Sequence, residues 1–108
     1  MESIQTGDLK TLLSNENDLV LVNTLDAKHF DQTRLPSSIN IPQAQDDFVE
    51  RVEEVVGDKS RPVVVYCASS ECDSSTKGAE KLDEAGFSRV IDYEPGAEGW
   101  RESGEQLA

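Results

Sequence analysis

The chain has 108 residues, 36% of them hydrophobic and 30% charged, and its 22 acidic residues against 10 basic ones give a formal net charge of −12. That length suits one domain with a modest core. The charge excludes the basic stripe of a nucleic-acid binder and disfavours docking on an anionic membrane, so neither partner is expected.

The opening Met1-Glu2-Ser3-Ile4-Gln5 is acidic and polar and lacks the basic and apolar regions of a signal peptide. No apolar stretch reaches membrane-spanning length. The expected location is therefore cytoplasmic, a reducing compartment in which thiols stay free. Thr6-Gly7-Asp8 ahead of Leu9, Leu12 and Leu13 predicts a short capped helix, and Ser14-Asn15-Glu16-Asn17-Asp18 a loop. Leu19-Val20-Leu21-Val22 is a continuous apolar run, as in a parallel strand covered on both faces. Residues 26–30 read as a short helix with Asp26 as its cap, and Pro36 then breaks the chain. Ser38-Ile39-Asn40-Ile41 alternates as a short strand that stops at Pro42.

Residues 44–56 form the clearest helix, with Phe48, Val52 and Val55 recurring on one stripe, Val49 and Val56 widening it, and Gly57 ending it. The Glu50, Glu53 and Glu54 series is then a solvated face. Pro62 opens the strand Val63-Val64-Val65-Tyr66. A helix over about residues 76–85 buries Ala79, Leu82 and Ala85 and stops at Gly86. Val90-Ile91 is a strand, Pro95-Gly96 a turn, and residues 97–102 a last short helix carrying Trp100. Trp100, Phe30, Phe48 and Phe87 are read as core, and His29, among Lys28 and Asp31, as a surface residue. Strands and helices alternate, which predicts an α/β fold: a central, mostly parallel sheet flanked by helices on both faces, as a single domain over residues 1–108.

Cys67 closes the strand run, and Ala68-Ser69-Ser70-Glu71-Cys72-Asp73-Ser74-Ser75 leads from it into the helix. In parallel sheets ligands gather beyond the carboxyl ends of the strands. A helix N-terminus supplies unpaired N–H groups and a partial positive charge, and both favour thiolate over thiol. Cys67 is thus the expected nucleophile. Hydroxyls of Ser69, Ser70, Ser74 or Ser75 are candidate donors to it, and Asp73 or Ser74 a candidate cap. Two cysteines and one histidine do not make a zinc site, and no metal or cofactor is expected.

The chain resembles the rhodanese-like domain family. The family's Val-x-Tyr-Cys stands here as Val64-Val65-Tyr66-Cys67, its Gly-Phe-x-x-Val as Gly86-Phe87-Ser88-Arg89-Val90, and its Gly-Gly-x-x-x-Trp as Pro95-Gly96-Ala97-Glu98-Gly99-Trp100. Thr33-Arg34-Leu35-Pro36-Ser37-Ser38-Ile39-Asn40-Ile41-Pro42 is similar to the family's Gly-His-Ile-Pro-Gly-Ala-x-x-Ile-Pro, with Arg34 and Ser37 replacing the usual His and second Gly. Asn23-Thr24-Leu25 stands where an Asp-x-Arg is common. The usual loop Cys-x-x-Gly-x-Arg has lost its Gly and its Arg and become Cys67-x4-Cys72, with Glu71 and Asp73 added.

The resemblance implies a sulfurtransferase or sulfur carrier in which Cys67 takes sulfane sulfur as a persulfide and passes it to a thiol or other nucleophile. Backbone and hydroxyl donors over Ala68, Ser69, Ser70, Glu71, Asp73 and Ser74 would surround it. Cys72, five residues on within a turn, is read either as a bystander at the helix start or as a resolving thiol that forms a disulfide with Cys67. Thiosulfate is a dianion best held by an Arg fork. Glu71 or Asp73 at about 4 Å would instead repel it by roughly 4 kcal/mol per unit charge before screening. The implied donor is therefore a persulfide or polysulfide, small or protein-borne, ahead of thiosulfate, and the implied acceptor a thiol. The alternative is a non-catalytic module that binds a partner or senses redox state. Phosphatase and arsenate-reductase relatives resemble Cys-x5-Arg, and the position of that Arg is Asp73 here.

Overall fold

Three short apolar runs, each apolar on both faces, become adjacent strands at the centre of one sheet. In the computed structural model, which describes residues 2–15 and 18–108, the elements run β1 (Glu2–Ile4), α1 (Thr6–Asn15), β2 (Val20–Asn23), α2 (Ala27–Thr33), β3 (Ile39–Asn40), α3 (Phe48–Val56), β4 (Val63–Tyr66), α4 (Ser74–Glu84), β5 (Val90–Tyr93) and α5 (Gly96–Glu102). The strand order is β1-β5-β4-β2-β3. Every pairing is parallel, with Val22 opposite Val65 and Val65 opposite Asp92 across the middle of the sheet.

Alternation along the strands divides the core into two layers. Val20, Val22, Val63, Val65 and Val90 face Phe48, Val52 and Val56 of α3 and Ala79 and Leu82 of α4. Leu21, Val64, Tyr66, Ile91 and Tyr93 face Leu9 of α1, Leu35, and Ala97 and Trp100 of α5. Two tyrosine hydroxyls tie distant segments to the sheet. Tyr66 donates to Thr33 O at 2.9 Å and accepts the Leu35 N–H at 3.0 Å, and Tyr93 shares a 2.6 Å hydrogen bond with Thr6 Oγ1. No helix of the described residues is long and apolar enough to cross a membrane.

Several boundaries differ from the sequence reading. Strand β1 was not expected: only Ile4 of its three residues is buried, and its partner β5 lies at the other end of the chain. Ser14 and Asn15 complete α1 instead of opening a loop, while Glu16 and Asn17 lie outside the described residues. Helix α3 begins at Phe48, not at 44, because Gln43 N–H is held by Thr24 O at 3.0 Å and the chain must turn before a helix can start. Its buried stripe is Phe48, Val52 and Val56; Val55 points outward and is 48% exposed. Helix α4 starts earlier than expected, at Ser74. Ala85 and Phe30 are only half-buried, Phe30 lying 4.5 Å under the Arg34 guanidinium. Asp26 occupies the N-cap position of α2, but its side chain makes no capping bond.

Candidate active site at the end of strand β4

Parallel strands deliver their carboxyl ends to one edge, where the following loops can converge. Cys67 follows β4 directly, and the start of α5 clamps it. Ala97 N–H donates to Cys67 O at 2.9 Å and Glu98 N–H to Ala68 O at 2.8 Å. Gly96 makes this approach feasible: its φ is +67°, and a Cβ there would meet Cys67 O at 2.5 Å and Ser69 N at 2.8 Å. Beyond the clamp, Cys72 N–H donates to Ser69 O at 3.1 Å and closes a turn over the thiol.

The turn presents carbonyls to the sulfur. Cys67 Sγ lies 3.4 Å from Cys72 O and 3.9 Å from Ser69 O, and 3.6 Å from Ser75 Oγ in the first turn of α4. Cys67 is 1% exposed. Burial pushes its thiol up to about 11, and the neighbouring Cys72 thiol adds to the rise, while the N–H and hydroxyl of Ser75 offset part of it. The helix end does reach the sulfur, through Ser75, but desolvation outweighs it. In this arrangement Cys67 is a thiol near neutral pH, not the activated thiolate the sequence reading expected from its position.

The other expected site residues separate into three groups. Cys72 is half-buried beside Cys67, and both cysteines are free. Ala68 and Ser69 belong to the clamp and the turn; Ser69 Oγ accepts from Glu71 N–H at 3.3 Å. Ser70, Glu71 and Asp73 are exposed around the loop. Ser74 Oγ is engaged by Thr24, 3.2 Å from its carbonyl and 3.1 Å from its hydroxyl, so Ser75 takes the role near sulfur. Neither Asp73 nor Ser74 caps α4 through its side chain. Asp73 sits at the N-cap with φ −98° and ψ 2°, away from the extended backbone that aims a capping side chain, and it pairs with Lys77 at 3.4 Å.

A cleft of about 310 Å³ opens beside the loop, lined among others by Glu71, Cys72, Asp73, Ser75, Asp92 and Glu94. Asp92, in β5, is 3% exposed. Its Oδ2 accepts from Thr76 Oγ1 at 2.9 Å, and its Oδ1 has no partner. A buried acceptor left unpaired costs about 1–3 kcal/mol. Asp92, Thr24 and Gly96 were not read from the sequence as residues of the site. An acid within the apolar Val90-Ile91-Asp92-Tyr93 was a readable signal for the first, since a strand covered on both faces has no solvent to receive a charge. Thr24 and Gly96 matter through partners distant in the chain.

A family model described as Rhodanese-like domain matches residues 5–103. No curated protein matches the chain in sequence. Among solved structures, the chain is similar to a thiosulfate sulfurtransferase from Pseudomonas aeruginosa, with 27% identity and a TM-score of 0.87, over 100% of this chain but only 20% of that one. A Bacillus halodurans protein aligns with a TM-score of 0.82 and 24% identity, over 99% of this chain and 76% of that one. The polysulfide-sulfur transferase homodimer of Wolinella succinogenes aligns with a TM-score of 0.76 and 21% identity, over 100% of this chain and 78% of that one.

Proposed function

The chain belongs to the rhodanese-like domain family, and on that premise we propose that it is a sulfurtransferase or sulfur carrier that holds sulfane sulfur as a persulfide on Cys67. The observation that carries this reading is the place of Cys67 Sγ: at the carboxyl end of a central strand and 3.6 Å from a hydroxyl in the first turn of α4. The likeness to a thiosulfate sulfurtransferase supports the reaction class.

Loading begins when Cys67 gives up its proton as the covering carbonyls of Ser69 and Cys72 move off the sulfur. The thiolate attacks the outer sulfur of a donor R–S–SH. The new S–S bond makes Cys67–S–SH, the donor's S–S bond breaks, and R–S⁻ leaves and takes the proton as R–SH. An acceptor thiol then attacks the outer sulfur, leaving with it as R′–S–SH and returning Cys67–SH. Cys72 offers a second exit. Its thiolate attacks the inner sulfur, the Cys67–Cys72 disulfide forms, and hydrogen sulfide leaves as the two-electron-reduced product. An external dithiol must then reduce the disulfide. The carboxyls around the cleft disfavour dianionic thiosulfate and favour a neutral or protein-borne persulfide donor.

Intact-mass measurement after incubation with polysulfide or thiosulfate tests the reading. The wild type should gain one sulfur atom that Cys67→Ser does not, and Cys72→Ser should retain that sulfur longer. No gain in the wild type would leave the second reading, a partner-binding or redox-sensing module. The observation favouring that module is the thiol raised to about 11, which suits a cysteine that rests unreactive.

A further inference from the structure

The cleft beside the loop has a ligand chemistry of its own. Its acidic lining is Glu71, Asp73, Asp92 and Glu94, and no lysine or arginine lines it. Three of these acids have ordinary surroundings: Glu71 and Glu94 are exposed to water, and Asp73 is paired with Lys77. Asp92 is buried, fixed by the pairing of β5 with β1 and β4, and holds one carboxyl oxygen with a hydrogen bond and the other without. Buried carboxyl oxygens in folded proteins have donors. Asp92 is part of the cleft wall, so its carboxylate is where a ligand's donor would meet this strand.

The size and grouping of the lining narrow the ligand. Among the described residues no three histidine, cysteine or acidic side chains come together in a way that could hold a metal ion, and a lining with four acids and no lysine or arginine favours a donor that is itself positively charged, an organic ammonium. About 310 Å³ is at the small end of ligand pockets. Cys72 lies on the same wall, so whatever enters is brought alongside Cys72, the neighbour of Cys67.

We propose that this cleft recognises a primary ammonium group, anchored on the Asp92 carboxylate and carried by the small thiol that takes sulfur from Cys67. An ammonium has three donors, one for Asp92 and others for the cleft's hydroxyls and carboxyls. The identity of the carrier, an aminothiol, rests on the sulfur-transfer reading; the preference of the cleft for a cation does not.

The test reads charge preference without sulfur transfer. Cys67→Ser leaves Cys72 as the only thiol of the chain, and its labelling rates with 2-aminoethyl and 2-sulfonatoethyl methanethiosulfonate are each divided by the rate for a neutral free thiol. The normalised cation-to-anion ratio should be about tenfold or more. Asp92→Asn keeps the shape and can still accept from Thr76; it should lower the ratio about fivefold, while Glu53→Gln, which removes the same charge from the exposed face of α3, should change it less than about twofold. An Asp92→Asn effect no larger than that of Glu53→Gln overturns the proposal. A measurement that needs no change at Asp92 backs this up: ethylammonium should slow labelling of Cys72 by neutral methyl methanethiosulfonate and propionate should not, and equal effects also overturn it. Failure of Cys67 to gain sulfur would sink the sulfur-transfer reading and leave these rates unchanged.

Discussion

The carbonyl oxygen of Cys72 stands 3.4 Å from Cys67 Sγ, so the loop turns an acceptor toward the thiol. An acceptor stabilises S–H and opposes S⁻, in the same direction as burial. With the folded thiol pushed up to about 11 and an unfolded one near 8.5, the linkage has a definite sign. Stability from keeping Cys67 protonated is fully present below about pH 8.5 and is lost as pH rises toward about 11. The denaturation midpoint should therefore fall more steeply over that window in the wild type than in Cys67→Ser. Tyr93, whose hydroxyl is also raised by burial, contributes equally to both chains. Equal slopes would contradict the assignment. Below about pH 11, alkylation of Cys67 by iodoacetamide should gain about tenfold per pH unit, as thiolate fraction does.

Gly96 controls the same loop from the other side. A methyl group there would lie 2.5 Å from Cys67 O and 2.8 Å from Ser69 N, at a φ of +67° that disfavours any side chain. Gly96→Ala should therefore push the loop off α5 and break the bonds from Ala97 and Glu98. The expected result is a loss of at least about 2 kcal/mol together with faster alkylation of Cys67 near neutral pH, because the sulfur loses its cover. Unchanged alkylation in a destabilised variant would show that the clamp does not shield the thiol.

The sequence revealed the elements whose signals are local, and missed those that depend on distant partners. Strands β2, β4 and β5 were legible because both of their faces are apolar, and α3 and α4 because their stripes follow the helical period. Strand β1 was not, since its place is decided by pairing Glu2 with Ile91. Cys67 stood out by its position after β4. The direction of the carbonyls above it did not, because that is set by the backbone of the turn over 69–72 and by the clamp from α5. Cap residues were overread for a related reason: Asp26 and Asp73 both precede helices, yet neither makes a side-chain cap bond.

Ser37 is a place where the sequence departs from what its own backbone asks for. Ser38 N–H donates to Leu35 O at 3.1 Å, closing a turn with Pro36 second and Ser37 third, and Ser37 has φ +68°. Proline second and positive φ third define a type II turn, in which glycine is the favoured third residue. Ser37→Gly should raise stability by up to about 1 kcal/mol, relief of left-handed strain outweighing the entropy glycine adds to the unfolded chain. Thermal unfolding checks it, and a lower melting temperature would show that the serine side chain contributes more than the strain costs.

Tyr66 links the sheet to that turn. Its hydroxyl donates to Thr33 O at 2.9 Å and accepts from Leu35 N–H at 3.0 Å, and Ser38 Oγ lies 2.9 Å away. The ring is fully buried, so water cannot replace the oxygen if it is removed. Tyr66→Phe keeps the ring but leaves the Leu35 N–H and the Thr33 carbonyl short of a partner. A buried group orphaned in this way costs about 1–3 kcal/mol, and the loss should appear in denaturant unfolding at constant m value. Ser38→Ala retains the tyrosine bonds to Thr33 and Leu35 and should cost less than Tyr66→Phe. Equal losses would mean that the serine hydroxyl, not the backbone of residues 33–35, is what holds Tyr66 in place.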